Sequence, residues 1–350
     1  MRAFGTRIAA LVGAIFVAGC GAEAPAGAER LVRVSEGSTP MGTYMAITVY
    51  TADEAAGREA IAAAVARVEE VEAATSHYRE ASDLSRLSRS AGGPPMAVSR
   101  HLWTVLRRAA EVSEETDGAF DVTIGPLMAL WRTTWRRGKA PSEAETAAAK
   151  ALVDYRAVKL DPREPRAQLA KAGMQLDLGG IAKGYAVDQA LAVLRERGVP
   201  AALVDMGGNV AAYGAPPERA AWLVGIRDPQ NPGKILPKPI KLLNKAVATS
   251  GDYEQFALVA GRRYSHILDP RTGRPLAGVT SVTVVAPDGM TADAYSTALS
   301  VLGPERAIAF AHERPAIEAM IIFERDGDIH TLRSKGFERL EAAAIESPKQ

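Results

Sequence analysis

The chain has 350 residues, 47% hydrophobic and 24% charged, which is enough apolar surface for a folded core and too much for intrinsic disorder. Its 42 basic and 41 acidic residues leave a net charge of +1, so no whole-protein basic footprint exists and no nucleic-acid partner is expected. The single cysteine, Cys20, excludes an internal disulfide, a CxxC redox pair and a thiolate metal cluster, and the five scattered histidines (His77, His101, His266, His312, His330) form no HExxH pair. An oxygen-ligand site for a hard cation stays open.

The first element is an address label. Arg2 and Arg7 flank a short basic start, and Ile8 to Val17 (IAALVGAIFV) is apolar throughout. As a helix this run measures about 15 Å, half of a hydrocarbon core of about 30 Å, so it suits a secretory signal better than a span. Val17-Ala18-Gly19-Cys20 resembles the bacterial lipobox, in which cleavage leaves the cysteine as a lipid-modified N-terminus. A plain signal peptide with an incidental cysteine is the alternative. The expected organisation is a lipoprotein signal peptide over 1–19, a small, polar, Pro-containing tether over 20–30, and one catalytic unit over 31–345, in one lobe or two. The protein is expected to be exported and lipid-anchored to a bacterial membrane, facing the periplasm.

Along the body, residues 44–50 (YMAITVY) predict a strand, and 53 to about 78 a helix with Ile61, Val65, Val68 and Val71 on one face. Ser99 is a plausible N-cap for a second helix, with Leu102, Val105, Leu106 and Ala109 in a stripe, stopping near Gly118. Residues 138–150 read as an Ala-rich excursion with a short helix. Strands are expected at 157–160, 174–178, 202–204, 222–226, 246–249, 264–268 and 279–285. Helices are expected from about 181 to Gly198, from about 291 to 302, and from Pro304. A final hairpin, 316–323 with 329–332, turns around Gly327. Strand runs and helix runs without regular alternation give an α+β class.

Four segments could carry chemistry. In Asp177-Leu178-Gly179-Gly180-Ile181-Ala182-Lys183 a strand ends in a carboxylate, two glycines follow and a helix begins, offering N–H groups to an anion; a purely structural turn explains it as well. In Thr291 to Thr297, Asp293 and Thr297 share a helix face with Ser296 beside them, a hard-oxygen set suited to Mg²⁺; capping of the helix by Asp293 is the plainer alternative. His266 stands just before a turn built on Asp269-Pro270 and Gly273, as a general base or as a strand histidine bonded to backbone. Ala119-Phe120-Asp121 follows a helix, with Phe120 open to a core role and Asp121 to capping the next helix. Asp288-Gly289-Met290-Thr291 reads as a turn before a helix.

Taken together and in order, these segments resemble the ApbE-type FAD:protein FMN transferases. The matching residues are Met41-Gly42-Thr43, Tyr78 with the run from Ser82 to Leu87, Ala119-Phe120-Asp121, Asp177 to Asp188, Val204 to Asn209, Thr249 to Asp252, Ser265 to Pro275 and Ala292 to Leu299. The resemblance implies an ApbE-like fold of mixed sheets with packed helices. It also implies Mg²⁺-dependent transfer of FMN from FAD to a threonine of an acceptor flavoprotein, such as a subunit of a membrane redox complex, with release of AMP. By the same resemblance, Met41, Tyr78, Ala119, Phe120, Asp121, Asp177, Lys183 and Leu268 would contact FAD. The metal would lie at Gly180, Asp293, Ser296 and Thr297. Ser296 stands where some relatives have a second aspartate, and Lys183 where some have glutamate. His266 is the candidate base for the acceptor threonine. The alternatives are Mg²⁺-dependent FAD hydrolysis to FMN and AMP, and a flavin-binding lipoprotein without catalysis.

Overall fold

The structure, a computed structural model, describes residues 30–231, 233–251, 256–259, 262–276 and 279–344. Cys20, the segment expected to be a signal peptide and Asp252 lie outside the described residues.

Eight strands form one antiparallel sheet in which chain order is also spatial order. They are β1 (Val32–Ser38), β2 (Met45–Thr51), β3 (Ala201–Met206), β4 (Asn209–Tyr213), β5 (Lys245–Gly251), β6 (Val279–Ala286), β7 (Glu318–Arg325) and β8 (Asp328–Arg333). Alternation of side chains along each strand gives two apolar faces. Ile47, Val49, Val204, Ala248, Val284 and Ile321 face the large helical core. Tyr50, Val210, Val247, Val285, Met320 and Ile322 face a smaller core closed by Trp222, Ile240, Leu242 and Phe337. At the outer edges, β1 and β8 are mostly exposed, and their polar residues blunt the open ladder.

The helices are α1 (Glu54–Thr75), α2 (Asp83–Arg89), α3 (Arg100–Glu115), α4 (Gly125–Arg137), α5 (Glu143–Lys150), α6 (Ala182–Glu196), α7 (Gly289–Leu302), α8 (Pro304–His312) and α9 (Phe337–Leu340), the last of which packs on the smaller core. Local signals set their ends. Asp53 caps α1 by accepting from the Ala56 amide (2.8 Å), and Ser99 caps α3 by accepting from Leu102 (3.2 Å). Pro304 opens α8 in its first turn, as expected. The stripe Leu102, Val105, Leu106, Ala109 of α3 is fully buried. Helix α1 stops at Thr75, three residues short of the expected end, because Ser76 turns extended (φ −76°, ψ 125°).

Two expected strands are corrected. Residues 174–178 are not a strand: Gln175 makes a single parallel bridge to Ile124, and the Asp177 amide donates to Val122 O (2.8 Å). Met174, Leu176 and Leu178 are buried in alternation, which mimics a strand's period, but the neighbouring chain turns into α4 after these rungs. The strand expected over 264–268 is broken. The ladder ends at Ser265, where Ile267 N–H turns to Ser265 Oγ (3.1 Å), and Leu268–Asp269 pairs in a separate ladder with Arg274–Pro275. Helices α2 and α4 and strands β1 and β4 are additions to the expected elements.

Candidate active site

Helices α6 and α7 are clasped at their N-terminal ends, and this clasp builds the site. Asp188 on α6 accepts from the amides of Gly289 (2.6 Å) and Met290 (2.8 Å) at the start of α7. In return, Asp293 on α7 accepts from the Gly184 amide of α6 (2.9 Å). The helices meet so closely that a methyl group at Gly184 would lie 2.1 Å from Gly289 O and 2.7 Å from Asp293 Cβ, which only glycine avoids. One turn earlier, a methyl group at Gly180 would lie 2.8 Å from Thr297 Oγ1 and 3.3 Å from Phe120. Gly180, Thr297 and Phe120 are therefore in contact, with Asp293 one helical turn from Thr297.

Asp293 is 3% exposed and sits inside α7; the N-cap is Asp288, whose carboxylate accepts from the Thr291 amide (2.7 Å) and hydroxyl (2.9 Å). The capping alternative for Asp293 therefore falls, and Asp288 to Thr291 is the expected turn into a helix. Burial pushes the Asp293 carboxyl upward, and the nearby Lys183 ammonium, 3.9 Å from Oδ1, opposes that. A buried carboxylate with one amide and one distant ammonium as partners calls for a cation. The surrounding donors are hard oxygens, which fit Mg²⁺. Ser296 is buried, donates to Asp293 O (2.9 Å) and shares a 2.8 Å hydrogen bond with Ser250 of β5, which ties the helix to the sheet.

The start of α6 differs from the open anion cradle that its sequence suggests. Gly179 N–H donates to Asp177 Oδ1 (2.9 Å), Ile181 and Ala182 N–H donate to Leu178 O, and Gly184 N–H goes to Asp293. Those donors are used internally, and the half-buried Lys183 ammonium, held by Gly179 O at 3.0 Å, supplies positive charge beside this turn.

Asp177 lies beside this turn and pairs with Arg132 of α4 (2.5 Å). The Arg132 guanidinium is also 5.8 Å from the ring centre of Tyr78, which is 80% exposed. The preceding residue, Trp131, points the other way. Its indole N–H donates to Gly273 O (2.9 Å), its ring meets Tyr264 at 5.4 Å, and it packs with Leu127 and Leu268. Helix α4 thus joins the segment carrying His266 to Asp177 and Tyr78. Arg271 fastens the same segment to the end of α7 through Asp269 and Val301 O.

Ala119 and Phe120 are buried (1% and 4% exposed). Asp121 turns inward, accepting from Thr123 N–H (2.8 Å), Thr123 Oγ1 (2.6 Å) and Tyr155 N–H (3.0 Å), so it fastens the loop and caps no helix. Met41 takes a left-handed turn (φ 53°) with its amide donating to Glu72 (3.1 Å). Leu268 is buried against α4, and His266 is half-buried at the strand break. Arg132 and Trp131 belong to the site but to none of the four sequence segments above. The signal for them was Leu127 and Trp131 at i and i+4 behind Gly125-Pro126, a helix start with proline in its first turn.

The clasp has a measurable pH signature. Burial raises the Asp188 carboxyl to about 7, against the two amide hydrogen bonds and with added repulsion from Asp288. The folded value lies above the unfolded one of about 3.9, so the proton that Asp188 holds stabilises the fold. That contribution is complete below about pH 4 and is lost as pH rises through about 7. Thermal unfolding of the wild type is expected to weaken across this window, and Asp188→Asn to flatten that part of the curve. Parallel curves for the two proteins would exclude Asp188 as the source.

Residues 41–321 match the ApbE family. The chain is 36% identical over 319 residues to the FAD:protein FMN transferase of Treponema pallidum, covering 87% of this chain and 88% of that protein. It is 30% identical over 328 residues to that of Escherichia coli K12, covering 92% and 93%. Among solved structures, the apo form of the Pseudomonas stutzeri flavinyl transferase ApbE superposes with a TM-score of 0.79 at 30% identity, covering 90% of this chain and 98% of that one. The Thermotoga maritima ApbE protein superposes at 0.81 with 32% identity, covering 89% and 100%.

Proposed function

The chain belongs to the ApbE family, and we propose on that premise that it is an FAD:protein FMN transferase. A threonine hydroxyl of an acceptor flavoprotein attacks the FMN phosphorus of FAD. The new bond is a phosphoester, the pyrophosphate P–O bond breaks, AMP leaves and the threonine proton passes to a base. The observation that carries this reading is the α6–α7 clasp, which sets the buried Asp293 carboxylate against Gly184 and the Thr297 hydroxyl against Gly180 inside the matched region.

Each part of the site has a task in that reaction. Asp293 and Thr297 with the Gly180 carbonyl would hold Mg²⁺, with Ser296 bracing the helix beneath them. Bound there, Mg²⁺ supplies positive charge to offset the pyrophosphate. Lys183 offers its ammonium to a phosphate oxygen. Tyr78 gives a flat, exposed surface for the flavin, and the Arg132–Asp177 pair fixes the wall beside it. His266 takes the proton of the acceptor threonine, the role of a positioned imidazole in general base catalysis.

Lys183→Met should raise the KM for FAD about tenfold, the typical cost of one charged hydrogen bond, with a smaller effect on kcat. An unchanged KM would remove Lys183 from phosphate binding. The reading as a whole is tested by product analysis after incubation with FAD, Mg²⁺ and a threonine-bearing acceptor. Transfer yields AMP and flavinylated acceptor in equal amounts. AMP with free FMN would make the protein a hydrolase, and intact FAD would make it a binder.

We further propose that Cys20 is lipidated after cleavage behind Gly19, so that the enzyme is exported and works at a bacterial membrane on the periplasmic side. The support is the short apolar run Ile8 to Val17 followed by the lipobox-like Val17 to Cys20. Among the described residues no helix is long and apolar enough to cross a membrane.

A further inference from the structure

His77 stands where the mechanism above uses nothing. It follows the end of α1 in a turn fixed by hydrogen bonds: Ser82 Oγ donates to Ser76 O (2.6 Å), and the Tyr78 amide donates to Ser76 Oγ (3.2 Å). The imidazole lies against the Tyr78 ring, centres 3.8 Å apart and planes at 41°. Its Nε2 is shielded from solvent and has no hydrogen-bond partner among the described residues. Such an orphaned polar atom is costly, and in a native structure it calls for a partner. The charged groups that act on the ring, Asp177 and Arg132, are already paired with each other. Burial lowers the imidazole's proton affinity, so at neutral pH it is uncharged, with one donor and one acceptor nitrogen.

We propose that His77 is a further substrate-binding residue, its Nε2 hydrogen-bonding the polar pyrimidine edge of the flavin that stacks at Tyr78. This rests on the FAD reading above. Tyr78 lies against the imidazole and is itself 80% exposed, so its ring can turn without disturbing the core. A flavin is an apt occupant, because it is flat enough for an aromatic surface and carries N–H and carbonyl groups along one edge. Either the donor or the acceptor role of a neutral imidazole matches that edge.

The test is equilibrium binding of FAD, FMN and ADP to the wild type, His77→Phe and His77→Gln. Phe keeps a ring against Tyr78 but removes both nitrogens, whereas Gln keeps a donor and an acceptor. His77→Phe should weaken FAD and FMN about tenfold each, the scale of one lost hydrogen bond, and leave ADP unchanged. His77→Gln should recover most of the loss. Should Phe lower the unfolding temperature, His77→Ala replaces it with the same expected loss. FAD affinity unchanged in the apolar variant, or a loss confined to ADP, would overturn the proposal. A wild type that binds no flavin would instead overturn the transferase reading.

Discussion

Asp293→Asn is expected to cut FMN transfer about 10²–10³-fold, the usual cost of losing one preorganised charge at a reacting phosphate or oxyanion. The fold should survive the change. Asp293 accepts one hydrogen bond, from the Gly184 amide, and the Asn carbonyl can accept it in the same place. The variant also relieves the energetic cost of a carboxylate that is 3% exposed, so thermal stability should hold or rise slightly. What it loses is the negative charge that would draw Mg²⁺ toward Thr297 and Gly180. Activity should therefore cease to respond to Mg²⁺ over the range that saturates the wild type. An unchanged Mg²⁺ titration would remove Asp293 from the metal site.

His266→Ala should reduce transfer about 10²–10⁴-fold while FAD still binds, because a positioned base typically contributes that much to the chemical step alone. The separation of binding from turnover follows from the architecture. The segment carrying His266 is held by Trp131 to Gly273 O and by Arg271 to α7, so removing one imidazole leaves its anchors in place. The Tyr78–Arg132–Asp177 group stands on other residues. Near-normal transfer by the variant would assign the base elsewhere, and loss of FAD binding in step with transfer would make His266 a binding residue.

Much of this was legible in the sequence, for identifiable reasons. Helix α3 was readable because its cap, Ser99, and its stripe from Leu102 to Ala109 agree, and the hairpin of β7 and β8 because Gly327 takes the left-handed turn (φ 86°) between two apolar runs. The site motifs were readable as residues, but their distribution of tasks was not. Nothing local in Asp177 to Lys183 reveals that the amides at the start of α6 are consumed by Leu178 O, Asp177 and Asp293. Nor does Gly184 announce that its missing side chain admits Gly289 O and Asp293. These depend on two helices more than 100 residues apart in the chain. Helix α4 was lost for a related reason: its two chemically telling residues, Trp131 and Arg132, face different partners, and both partners come from remote segments. Strand β1 was hidden because only Val34 of its seven residues is buried.

Movement of FMN to a threonine is read out by the intact mass of an exported flavoprotein acceptor after incubation with the enzyme, FAD and Mg²⁺. A second sample, in which the acceptor threonine is replaced by valine, runs alongside. One FMN is expected on the first acceptor, none on the second, and none on either when Mg²⁺ is chelated. An unmodified threonine acceptor beside consumed FAD would contradict transfer to threonine.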